Sequence, residues 1–164
     1  MDPIVSSSGE GEVFNFEPGS LARFKVFSRH SDGAFEVFER EVPPHTIGAD
    51  PHLHRTTIET FYVVEGTASI LIGDFEQEFG PGSVVSVPKN VVHAFSNRSS
   101  VPLKVLASYT PALGHEEYFR ELARLKHGPK ETYQSGLDAL RKRFDAESVH
   151  IPGYRVVSPA GFVR

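Results

Sequence analysis

The stretch DPHLHRTTIETFYVVEG, residues 50–66, contains three potential metal ligands, His52, His54 and Glu59. Side chains on an extended segment alternate with period two, so His52 and His54 point to the same side. Glu59 lies an odd number of residues beyond His54, and simple alternation puts it on the opposite face. A bend through Arg55-Thr56-Thr57 corrects the phase, and two adjacent β-branched threonines argue against a helix there. From Glu59 onward the chain reads as strand, with Phe61 and Val63 on the face of the carboxylate. A charge on an apolar interior face needs a partner. A divalent cation held with His52 and His54 supplies one.

On the N-terminal side of this stretch, Pro43-Pro44 ends a strand, because proline cannot donate to a ladder. Gly48 then lets the chain swing into the His-x-His segment. Two alternating runs, Arg23 to His30 and Ala34 to Val42, flank the turn signal Ser31-Asp32-Gly33 and read as a hairpin. Charges on both of its faces point to a sheet edge or an oligomer contact. Residues 1–11 are small, polar and Gly/Ser-rich, and read as a flexible lead-in.

On the C-terminal side, strands are expected over Thr67–Ile72, Phe75–Phe79, Ser83–Val87, Val91–Asn97 and Leu103–Tyr109, separated by Gly/Pro turns. His93 and Phe95 share one face. Short strands at this density make the fold mainly β, a sandwich or barrel. The period then changes. Gly114–Lys126 and Ser135–Ala146 carry apolar residues at helical spacing, with Ser135 as N-cap of the second. The expected organisation is a β-barrel over 12–112 and a helical segment with tail over 113–164, its two helices packed outside the barrel. Residues 151–164 carry no clear pattern.

The 164 residues suit one domain. A net charge of -4 argues against a nucleic-acid or anionic-membrane partner. There is no cysteine, which excludes disulfides, thiolate-bound zinc and a Cys nucleophile and leaves imidazole and carboxylate as the strong ligands. No apolar run is long enough to span a membrane, and no signal peptide is read. The expected location is cytoplasmic.

Two spaced patterns stand out. The first is His52, one residue, His54, four residues, Glu59, six residues, Gly66. The second is Gly82, five residues, Pro88, one residue, Asn90, two residues, His93, three residues, Asn97. Together they resemble the two motifs of the cupin superfamily, over about residues 35–110, and the surrounding wording looks most like small bacterial cupins similar to quercetin 2,3-dioxygenase. Asn90 stands where that family has glycine, and Asn tolerates the left-handed conformation such a turn needs.

The resemblance implies a double-stranded β-helix (jelly-roll) barrel, a homodimer, and one divalent metal per chain held by His52, His54, Glu59 and His93. Fe(II) comes first, with Mn, Ni, Co and Zn as alternatives. It also implies that Glu59 acts as base towards a substrate hydroxyl. The expected function is a mononuclear-metal oxygenase acting on a small aromatic, enolic or polyketide-like substrate. The alternatives are a non-oxidative isomerase, cyclase or lyase, and a small-molecule-binding cupin without turnover. The N-terminal hairpin is the expected dimer contact. His30, His45, His115, His127 and His150 read as structural or surface residues, Arg55 as solvated, and Asn97 as a turn stabiliser.

Overall fold

The computed structural model describes residues 3–16, 19–152 and 154. Most of the tail over 151–164 lies outside them. Eleven strands and two helices are present among the described residues: β1 (Glu12–Phe16), β2 (Ser20–Val26), β3 (Glu36–Val42), β4 (Thr46–His54), β5 (Ile58–Glu65), β6 (Ala68–Ile72), β7 (Phe75–Phe79), β8 (Val84–Val87), β9 (His93–Asn97), β10 (Leu103–Thr110), α1 (His115–Lys126), α2 (Lys130–Arg143) and β11 (Ala146–Ser148). They form two antiparallel sheets, β1-β2-β3-β10-β5-β8 and β11-β4-β9-β6-β7. The mainly β fold expected from the turn spacing is present, and its two sheets agree with the jelly-roll that the resemblance implies.

Alternation builds the core. β10 buries Leu103, Val105, Ala107 and Tyr109, and β5 buries Glu59, Phe61 and Val63. The inward faces of both sheets meet there, Phe61 against Phe95 at 5.3 Å between ring centroids. Gly48 is required where β4 crosses this layer. A Cβ on it would come within 2.2 Å of Phe95 Cε2, and the β4–β9 ladder is irregular on either side of Ala49.

Both helices pack against the β core, and α1 sends Phe119 inward. Its ring lies 5.0 Å from Phe38, 5.3 Å from Phe24 and 6.1 Å from Phe16. The second helix begins at Lys130, earlier than the apolar stripe suggests. Ser135 is therefore inside it, with its hydroxyl donating to the Thr132 carbonyl at 3.1 Å. Leu137 and Leu140 are buried as the stripe requires.

The hairpin is present, and its expected place at a sheet edge is corrected. β2 and β3 do pair, with Phe24 opposite Phe38, but β1 covers the outer edge of β2 and β10 lies against β3. A register shift after Phe24 turns Phe27 inward too. The charges on both faces had another cause. Glu36 and Arg40 share the inward face of β3 with Phe38 and Val42.

Candidate metal centre

β4 ends at His54 and β5 starts at Ile58, so the intervening bend brings Glu59 onto the side of the two imidazoles, as the phase argument required. A distant residue holds that bend. The Asp145 carboxylate accepts the backbone N–H groups of Thr56 and Thr57, both at 2.8 Å, and its carbonyl accepts that of Arg55 at 3.1 Å. Asn90 has φ +64, the left-handed conformation expected at that turn, and its N–H donates to the His54 carbonyl at 2.6 Å. β9 then places His93 opposite His52.

All four residues are buried, and one ligand atom from each lies within 4.8 Å of all the others. Glu59 Oε2 stands 2.8 Å from His93 Nε2, 3.4 Å from His54 Nε2 and 3.9 Å from His52 Nε2. Ligand atoms sharing a cation at about 2.1 Å lie roughly 3 Å apart in cis positions, so only small adjustments separate this cluster from coordination.

The hydrogen bonds make the chemical case for a cation. His52 Nδ1 is 2.8 Å from the Asp50 carbonyl, and His93 Nδ1 is 2.9 Å from the Val91 carbonyl. A carbonyl only accepts, so both Nδ1 atoms carry the proton and both Nε2 lone pairs of neutral rings face inward. The Nε2 of His93 would then meet the Glu59 carboxylate lone pair to lone pair. A proton or a metal ion must lie between them. Neither nitrogen of His54, both enclosed, has a hydrogen-bond partner among the described residues. A buried group of three His and one Glu can bind one metal ion, and imidazole with carboxylate suits first-row transition cations.

Electrostatics favour the same reading. Burial, then the neighbouring His93, Arg141 and His54, holds the His52 imidazole well below its ordinary value against the pull of Glu59. Its ring is neutral at pH 7, as a ligand must be. Burial alone would raise the Glu59 carboxyl, but the His54 and His93 imidazoles beside it hold it well below the usual carboxylate range. Three neutral rings and one carboxylate leave a divalent ion with a net charge near +1.

One side of the cluster is open. His52 and Glu59 front a pocket whose walls include Phe38, Arg40, Phe95, Tyr109, Tyr118 and Arg141, whereas His54 and His93 do not line it. Sequence reading missed Arg40, Tyr109 and Arg141. The alternation of β3 was the available signal for Arg40. Burial foremost, with the charges of Glu59, Tyr118 and Glu36, raises the Tyr109 phenol well above its ordinary value, so it stays protonated.

The other histidines divide. His115 is buried, its Nδ1 hydrogen-bonded to Glu36 and its ring 4.1 Å from that of Tyr109. It is structural, as expected, but it backs the pocket. Arg55 is exposed and bonds Asn90 and Glu147. The Asn97 amide donates to the Val42 and Val101 carbonyls, and its oxygen accepts from Ser99. That is the turn role expected of it.

Residues 38–109 match the family model of the cupin domain. A cupin domain is therefore matched over those residues. The chain is 32% identical over 120 residues, 73% of its length, to quercetin 2,3-dioxygenase of Bacillus subtilis, covering 34% of that protein. It thus spans about a third of the length of that relative. A predicted oxalate decarboxylase from Thermotoga maritima shares the fold with a TM-score of 0.58 at 16% identity, over 67% of this chain and 99% of that one. Pac13, a nucleoside dehydratase from Streptomyces, superposes with a TM-score of 0.54 at 18% identity, over 70% of this chain and 88% of the other. No helix among the described residues is long and apolar enough to cross a membrane.

Proposed function

We propose that this cupin is a metal-dependent enzyme, a mononuclear oxygenase acting on a small aromatic, enolic or polyketide-like substrate, with His52, His54, Glu59 and His93 as ligands. One observation carries the reading. Three imidazole nitrogens converge on one Glu59 oxygen, and only His52 and Glu59 of the four face the pocket. A closed structural site would wall off every ligand. The identity to quercetin 2,3-dioxygenase supports the oxidative version.

A bound divalent ion supplies Lewis acidity and, if it is iron, the electrons that dioxygen chemistry requires. The chain supplies the rest. Glu59, held ionised, receives the proton of a substrate hydroxyl. Phe38, Phe95 and Tyr118 give flat apolar walls against which an aromatic body is oriented and water excluded. Oxygen consumption by Fe(II)-loaded protein over a panel of enolic and catecholic substrates tests this. Turnover that continues without oxygen sinks it.

A second reading has its own observation. Tyr109 lines the pocket as a protonated phenol beside Glu59, a hydrogen-bond donor for a developing oxyanion next to a base. That pair suits a lyase or isomerase needing no oxidant, and anaerobic turnover lost in Tyr109→Phe would establish it.

We also propose a homodimer. The hairpin expected to mediate it is covered, but the outward face of β5 and the edge strand β8 expose Ile58, Tyr62, Val64 and Val84. Analytical ultracentrifugation should give a dimer, with Val84→Asp monomeric. A monomeric wild type at micromolar concentration counts against it.

A further inference from the structure

We propose that the pocket beside the His/Glu cluster takes an anionic substrate, a small aromatic carboxylic acid whose carboxylate is received by Arg40. Arg40 is 6% exposed. Its Nε donates to the Leu21 carbonyl at 3.2 Å, and its Nη2 to Ser20 Oγ at 3.3 Å and the Gly48 carbonyl at 3.0 Å. Its Cζ lies 5.2, 5.5 and 5.6 Å from the ring centroids of Phe16, Phe95 and Phe119. Every one of these neighbours is uncharged. Among the described residues no carboxylate comes within ion-pair distance of this buried cation, an expensive arrangement unless a counter-charge arrives.

One end of the guanidinium is left unbonded. Nη1 makes no hydrogen bond among the described residues, and it is not among the atoms sealed from solvent without a partner. Arg40 lines the pocket, and Nη1 is the part of its guanidinium left to meet a ligand there. A second guanidinium reinforces the field. Arg141, 3% exposed and on the same wall, donates to the Asp50 and Pro51 carbonyls and to Ser148 Oγ, and again has no carboxylate partner among the described residues. The acidic groups on these walls are Asp50 and Glu59, against the cations Arg40, Lys126 and Arg141. The remaining balance is positive. The Nη1 group left over can give a carboxylate a charge-assisted hydrogen bond, while Phe38, Phe95 and Tyr118 accept an aromatic body.

The inference rests on this pocket being the substrate site of the proposed enzyme, but the binding it describes needs no metal. The test is calorimetric titration of the full-length protein, as purified and after EDTA treatment, with benzoate, benzamide and inorganic phosphate, and with metal content measured on the same samples. Benzoate should bind at least tenfold more tightly than isosteric, neutral benzamide in both preparations. Arg40→Gln, folded by circular dichroism, should lose that preference. Equal affinity for the two ligands overturns the proposal, as does a benzoate preference intact in Arg40→Gln. Phosphate displacing benzoate at equal or lower concentration also overturns it, in favour of a phosphoryl group. If Arg40→Gln does not fold, the wild-type benzoate/benzamide ratio decides. A preference that persists in protein holding no metal separates this proposal from the fate of the metal reading, and a metal-loaded protein with no preference defeats this proposal alone.

Discussion

His52 and His93 stand directly opposite one another in the β4–β9 ladder, their ring centroids 4.3 Å apart. Each ring is pinned by an Nδ1 hydrogen bond to the carbonyl two residues before it. Opposed positions on neighbouring strands bring side chains to about 5 Å without any loop to order. Two of the four proposed ligands are therefore positioned by sheet register itself.

Metal removal should destabilise the protein. A cation that binds only the folded chain adds about 2.7 kcal/mol at a hundredfold excess over Kd. Calorimetry should show Tm falling after EDTA treatment and recovering when Fe(II) or Mn(II) is restored, with neither effect in His93→Ala. Equal metal content in wild type and His93→Ala defeats the ligand assignment.

The metal-free protein should lose stability on acidification. The folded pKa of His52 lies below its unfolded value of 6.5, so below about pH 6.5 the unfolded chain binds the extra proton and gains. The slope approaches 1.4 kcal/mol per pH unit for one proton. Glu59, held below its ordinary 4.5, contributes stability present above that pH and lost as pH falls towards its folded value. Denaturant midpoints from pH 8 to pH 5 should fall for wild type and fall less for His52→Gln. Identical slopes remove His52 as the cause.

Asp145 reaches across 88 residues to cap the bend between the ligand strands. Asp145→Ala leaves two N–H groups without their charged acceptor, at a cost of about 1.5–3 kcal/mol. Asp145→Asn keeps one acceptor oxygen and tolerates the observed φ of +65, and should cost less. Urea titration ranks the three proteins, and metal affinity should follow the same order. A metal affinity unchanged in Asp145→Ala shows that the bend does not need its cap.

Gly48→Ala should destabilise by about 1–3 kcal/mol, the range for overpacking, because its Cβ would sit inside the Phe95 ring. Phe95→Leu should recover part of that loss in the double variant. Additive losses would show that the two positions are not in contact.

Much of this was legible in the chain. The alternation from Leu103 to Tyr109, the Gly/Pro turns, and the spacing of His52, His54, Glu59 and His93 depend on neighbours in sequence, and sequence is enough to read them. Asn90 in a left-handed turn belongs with these, since its cost is local. What sequence pattern alone misread was the charge on β3. Glu36 and Arg40 looked like edge charges because period two says which residues share a face and says nothing about what that face meets.

Only the folded chain decides that. β1 and β11 are short strands whose pairing partners justify them. Asp145 becomes a cap because α2 returns the chain to β4. Arg40 becomes a buried cation with no ion-pair partner among the described residues because α1, α2 and both sheets close around it. Sequence pointed, through the resemblance its two spaced motifs carry, to the cupin fold and to the four residues of the candidate metal centre, and local period placed His52 and His54 on one side. The tertiary structure decided which charges surround them, because desolvation and charge pairing depend on neighbours that no spacing along the chain records.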